Sequence, residues 1–127
     1  MSKLSEKDIQ QQIINTLNRR PDVRVFRNNI GQGFIGAVIA EGDGRIMLKN
    51  YRRIRFGLQD GSGDLIGWKT IKITPEMVGT NVAVFISIEV KSKTGTVSDE
   101  QKNWFGAVTR ACGIAKIARS AEDGTAI

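Results

Sequence analysis

The chain has 127 residues, enough for one hydrophobic core and too few for two, so a single domain over 1–127 is expected. Its apolar content of 40% fits a globular protein, and 19 Lys and Arg against 13 Asp and Glu leave a formal net charge of +6, which suits a polyanionic partner. One cysteine, Cys112, excludes an internal disulfide, and the absence of histidine removes the usual ligands of zinc sites and the usual base of His-dependent hydrolases.

In chain order, Ile9, Ile13 and Leu17 recur at helical spacing, predicting a helix over 5–19 with Ser5 as N-cap and Pro21 as its stop. Residues 23–27 read as a short strand. The glycine density of 28–45 predicts turns and loops around one short apolar piece, 34–40. Residues 46–56 read as extended, 64–73 as a strand carrying a bulge, 74–79 as a connection and 82–91 as a long strand. A second helix is predicted over 98–112 with Gly113 as its C-terminal cap, then a last strand at 114–118. The order is that of an α/β domain, with the strands in one central mixed sheet flanked by helices. No segment approaches the roughly 20 apolar residues of a membrane span, and the N-terminus lacks a signal-peptide core, so a cytoplasmic protein is expected.

The chemistry concentrates at the ends of two apolar runs. Asp64 stands in Gly-Ser-Gly-Asp-Leu-Ile-Gly-Trp, and Glu89-Val90-Lys91 closes the run from Val82. Two carboxylates and a lysine there can build a Mg²⁺ site: hard cations take oxygen ligands, and an ammonium can steady charge developing on a phosphodiester. Strand alternation puts Glu89 and Lys91, about 7 Å apart, on one side with Phe85 and Ser87, leaving Val82, Val84, Ile86, Ile88 and Val90 as the expected core face. The bland alternatives are a surface salt bridge for Glu-x-Lys and a glycine-turn aspartate for Asp64.

Both helices carry a polar residue within an apolar stripe. Gln101 falls among Trp104, Phe105, Val108 and Cys112, where it either faces the sheet or closes a capping box with Ser98. Glu6 aligns with Ile9, Ile13 and Leu17, with Gln10 a turn further, and is otherwise an ordinary first-turn acid. The basic residues cluster at Arg19, Arg20, Arg24 and Arg27 and at Lys49, Arg52, Arg53 and Arg55, making Arg27, Arg53 and Arg55 candidates for DNA contact. Trp68, Trp104, Phe105 and Cys112 read as core residues.

Taken in order, Ser-Glu-Lys-Asp-Ile-Gln opening a helix, Gly-Ser-Gly-Asp-Leu-Ile-Gly at 61–67, Ile-Glu-Val-Lys at 88–91 and Val-Ser-x-x-Gln-x-x-Trp at 97–104 make nearly the whole chain resemble a VRR-NUC domain. This is the virus-type replication-repair branch of the PD-(D/E)xK nuclease superfamily. The resemblance implies that superfamily's core fold. It also implies Asp64 and Glu89 as metal ligands with the Val90 carbonyl beside them, Lys91 as catalytic lysine, Gln101 as a supporting residue and Glu6 as a helix-borne acid. Gly63 stands where the superfamily name has proline, which removes no ligand. The expected activity is Mg²⁺-dependent DNA cleavage, with Mn²⁺ able to substitute, by a homodimer on Holliday junctions or other branched DNA in a bacterial or phage-infected cell. The competing readings are a nuclease of flaps, ends or linear duplex, and a DNA-binding module with a dead site.

Overall fold

The computed structural model describes residues 4–127. Its backbone divides into two compact units, one of residues 4–19 with Val25–Gly67 and one of Arg20–Arg24 with Trp68–Ile127. Hydrogen bonds among the described residues draw three two-stranded sheets where one central mixed sheet was expected, within an α/β succession of elements. No helix among these residues is long and apolar enough to cross a membrane.

In the first unit, α1 (Glu6–Leu17) starts at Ser5, whose hydroxyl accepts the Asp8 N–H at 3.1 Å while the Asp8 carboxylate accepts the Ser5 N–H at 3.3 Å. This reciprocal cap satisfies two orphan donors of the helix start. The helix ends sooner than the expected residue 19 because the Asn18 side chain turns to the backbone of Val25, accepting its N–H at 2.8 Å and donating to its carbonyl at 3.1 Å. Val25 belongs to β1 (Val23–Arg27).

The glycine-rich stretch is regular structure, which corrects the expectation of loops. β2 (Gly31–Gly42) and β3 (Arg45–Phe56) form an antiparallel hairpin closed by Asp43 and Gly44 at φ 52° and 72°. Positive φ at both positions is the two-residue turn that a tight hairpin prefers. The glycines inside β2 answer close approach. A Cβ on Gly31 would stand 2.7 Å from the Phe56 ring, and one on Gly36 would stand 3.0 Å from both Lys49 O and Tyr51 Cα. β4 (Leu65–Lys69) pairs with β1.

In the second unit, after a 3-10 turn at Pro75–Met77, β5 is shorter than expected, Ile86–Val90. It runs parallel to β6 (Ile114–Ala118), with Glu89 opposite Ile117 and Val90 opposite Ala118. α2 (Asp99–Arg110) packs on both strands and buries Val108, while Ala118 is the buried residue of β6. The expected core face of the strand is reversed: Val82, Val84, Ile86, Ile88 and Val90 are exposed. α2 sits over the other face, where Phe85 joins Trp68 and Trp104 in an aromatic trio with ring centroids 5.0 to 6.2 Å apart.

The end of α2 also departs from expectation. Cys112, not Gly113, takes the left-handed position at φ 67°, and its side chain is exposed, not core. The Gly113 N–H donates to Val108 O and the Cys112 N–H to Thr109 O, both at 3.0 Å, which is a Schellman closure. Gly113 is needed for room: a Cβ there would meet Val108 Cγ1 at 2.9 Å and Phe85 O at 3.0 Å.

The chain closes with α3 (Ala121–Thr125), anchored by Asp123, whose carboxylate accepts the Arg119 N–H at 3.0 Å and lies 3.4 Å from Lys116 Nζ. The Arg119 N–H first, and Lys116 after it, hold the Asp123 carboxyl below its ordinary 3.8. A depressed carboxyl contributes stability above its unfolded value and loses it as pH falls through the lower folded one. Amide protection at 119–125, taken relative to the intrinsic exchange rate at each pH, is therefore expected to hold down to about pH 4 and to fall below it. Asp123→Asn should show fast exchange already at neutral pH, with no acid step.

Candidate active site

Glu89 is the centre of the side-chain cluster in the second unit. Alternation along β5 aims it to the side covered by α2, and Gln101, in the first turn of that helix, donates Nε2–H to Glu89 Oε1 at 2.7 Å. The other end of the Gln101 amide accepts the Ser98 N–H at 3.0 Å, and Ser98 Oγ accepts the Gln101 N–H at 3.1 Å. The cap fixes which way the amide faces, because only oxygen can accept from Ser98, so nitrogen must face Glu89. Capping and orienting the carboxylate, alternatives from sequence, hold at once.

Lys91 follows β5 directly and brings Nζ to 3.6 Å from the same Glu89 Oε1. The lysine side chain is 20% exposed and the glutamate 41%, so water screens the pair and its worth to stability is small. Its worth lies in position. Both neighbours fall on Oε1, and neither engages Oε2. Ser87, one step back on the same strand face, accepts the indole N–H of Trp104 at 2.8 Å and closes the cleft beside Glu89.

The backbone around Lys91 is tied on both sides. Its N–H donates to Ala118 O at 2.9 Å. The Arg119 guanidinium, one residue further along, donates through Nη1 to Ser92 O at 2.7 Å, Gly95 O at 2.8 Å and Lys93 O at 3.3 Å. One cation gathering three carbonyls gives the turn after Lys91 a fixed shape. Arg119 was not singled out in the sequence, where nothing marks an arginine after the last strand as reaching back to residues 92–95.

Asp64 belongs to the first unit, exposed at the end of a glycine turn. The turn is organised by Asn28, the one buried polar residue among those described. Asn28 Nδ2 donates to Ser62 Oγ at 2.7 Å and Gly63 O at 2.9 Å, and its Oδ1 accepts the Leu58 N–H at 3.0 Å. The Asn28 N–H donates to Asp64 O at 2.8 Å. Every polar group of one side chain is spent on residues 58–63, and the main chain beside it holds Asp64. Asn28 was missed as a positioning residue, although Asn-Asn next to the glycine-rich stretch is the signal that pointed near it.

Glu6 is exposed in the first turn of α1. Val90, whose carbonyl the resemblance implies as a ligand, lies in β5 between Glu89 and Lys91. Arg27 is committed to α1, donating to Gln10 Oε1 at 2.7 Å and Gln11 Oε1 at 2.9 Å. Arg53 and Arg55 share a hairpin face, as expected: Arg55 pairs with Asp60, and Arg53 lies 5.4 Å from the centroid of the Phe34 ring.

Asn28→Ala leaves the Leu58 donor and the Gly63 carbonyl without their partner, which costs roughly 1–3 kcal/mol. In urea unfolding it should exceed Gln101→Ala, which gives up a cap bond and a bond to Glu89 but leaves both partners, the Ser98 N–H and a half-exposed carboxylate, open to water. Equal losses would remove the special role given to Asn28.

Each unit thus holds its own candidates, an oriented glutamate beside a lysine on one strand end in the second and an aspartate pinned at the end of a glycine turn in the first. The profile of the VRR-NUC domain matches residues 4–122, almost the whole chain and both units. No curated protein and no solved structure matches it. The chain belongs to the VRR-NUC family of nuclease domains.

Proposed function

We propose that the chain is a Mg²⁺-dependent DNA endonuclease, a single nuclease domain over 1–127 with Asp64 and Glu89 as its metal ligands. The observation that carries this reading is the Glu89 carboxylate, held by Gln101 and flanked by Lys91, both on its Oε1. The donor chemistry fits the ion: two carboxylates and the Val90 carbonyl are hard oxygen donors of the kind Mg²⁺ takes, and Mn²⁺ accepts the same set. Bound there, the ion supplies Lewis acidity toward a phosphate oxygen and lowers the pKa of a coordinated water.

The protein's own part is positional and electrostatic. Gln101 prevents Glu89 from swinging into water, which would break an ion site at the open end of a strand. Lys91, on a backbone tied by Ala118 and Arg119, places an ammonium where negative charge grows on the phosphate in the transition state. Affinity for DNA comes from cations on phosphates, which Arg45, Lys49 and Arg52, placed on one face by the hairpin register, supply. We assign the substrate as branched DNA, engaged by a homodimer during bacterial or phage replication or repair.

Asp64→Ala and Glu89→Ala should each lower Mg²⁺-dependent cleavage by at least about 100-fold, with DNA affinity in Ca²⁺ changed by less than about threefold. Lys91→Ala should lower turnover while leaving DNA binding in place. Junction, flap and linear substrates in the same assay test the branched preference, and Glu89→Ala cutting as well as wild type would overturn the assignment.

A further inference from the structure

The β2–β3 hairpin has twelve residues in each strand, and its register sorts them onto two unlike faces. One carries Arg45, Lys49 and Arg52 between the aliphatic side chains of Ile35, Met47 and Ile54. The other gathers Phe34, Val38, Ile46, Leu48 and Tyr51 with Arg53, and Glu41, the cross-strand partner of Ile46, stands on that side too. These apolar residues are open to solvent: Phe34 54%, Val38 54%, Ile46 58% and Tyr51 65%. A two-stranded ribbon by itself is marginal in water, and a contiguous apolar face on it marks a surface made to be covered.

The charges on this face indicate what covers it. Glu41 lies near the hairpin turn and Arg53 toward the open end, with Val38, Leu48 and Tyr51 between them. The Arg53 guanidinium lies over the Phe34 ring, so it leans from the β3 row onto the β2 row. If a second copy is turned end for end about a two-fold axis crossing the strands, β2 lies over β2. Glu41 of each copy then comes opposite Phe34 and Arg53 of the other, and the apolar centres meet. A two-fold axis along the strands would leave both charges without a counterpart. A polyanion fits this face less well than the other, since Glu41 would repel it and Arg55 is already paired with Asp60, while Arg45, Lys49 and Arg52 stand on the opposite face.

We propose that two copies of the chain associate through this face in the end-for-end arrangement, with Glu41 and Arg53 pairing across the two-fold axis twice. An isologous contact of this kind closes on itself and stops at the dimer. A ribbon of this length and two-strand width offers on the order of 400 Å² of face per copy. That is about half the standard interface, the size of weak and transient contacts, so the dimer is a reversible one. The inference locates the contact of the proposed homodimer but rests on the hairpin alone, and its readout needs no cleavage.

Sedimentation velocity on the full chain without DNA, from about 1 to about 100 µM, tests it. Wild type should pass from monomer to dimer over that range, and Val38→Asp should stay monomeric. Glu41→Arg should weaken association by about tenfold or more, and adding Arg53→Glu should restore it to within about threefold of wild type. Glu41 is exposed, so its variant should keep the wild-type circular dichroism even if Val38→Asp does not. A wild type that remains monomeric throughout, or a dimer indifferent to Val38→Asp, overturns the proposal. So does a charge reversal without rescue, or a monomer whose single-stranded DNA binding is lost in Val38→Asp, which would give the face to nucleic acid.

Discussion

The amide of Gln101 has two ends, and the fold uses both. Its oxygen accepts from Ser98 and closes the start of α2, while its nitrogen donates to Glu89 and fixes a carboxylate on β5. Helix start and strand end are thereby tied at the point where chemistry is expected. A carboxylate at an open strand end would otherwise sample several rotamers, and neither an ion nor a phosphate can be held by a group that spreads over several positions. Here the cap that begins the helix is also the restraint that aims the acid. One residue therefore couples local helix stability to the geometry of the site.

A similar economy recurs around the other candidates. Asn28 spends its whole amide on the glycine turn and its main-chain N–H on Asp64. Arg119 spends one nitrogen on three carbonyls after Lys91. Each site residue thus has a neighbour that makes no chemistry itself and decides where the reacting group can stand. Supporting residues of this kind are what separate an oriented site from a chance meeting of charges.

The parts of this arrangement legible from sequence were those written locally. Ser5 and Ser98 precede periodic apolar residues and act as caps, and Asp-Gly at 43–44 forms the tight turn it signals. The misread parts depended on distant neighbours. Gly31 and Gly36 looked like loop formers because their missing side chains are filled by Phe56 and by the backbone of β3, twenty-five and about fifteen residues further on. The core face of β5 was assigned to its aliphatic side, yet α2 and the aromatic trio cover the side bearing Phe85, Ser87 and Glu89. Cys112 takes a left-handed position usually reserved for glycine because Gly113 is already required where Val108 and Phe85 press closest. The reach of Asn28 to Ser62, across 34 residues, leaves no periodic trace at all.

The central claim is that Asp64 and Glu89 serve one ion. Mn²⁺ binding by calorimetry to wild type, Asp64→Ala, Glu89→Ala and the double variant measures this directly, because a shared ion makes the two losses non-additive. The account predicts that either single change removes nearly all of the affinity and that the double loses no more. Two separate losses that simply add, or one carboxylate whose removal leaves binding untouched, would contradict it.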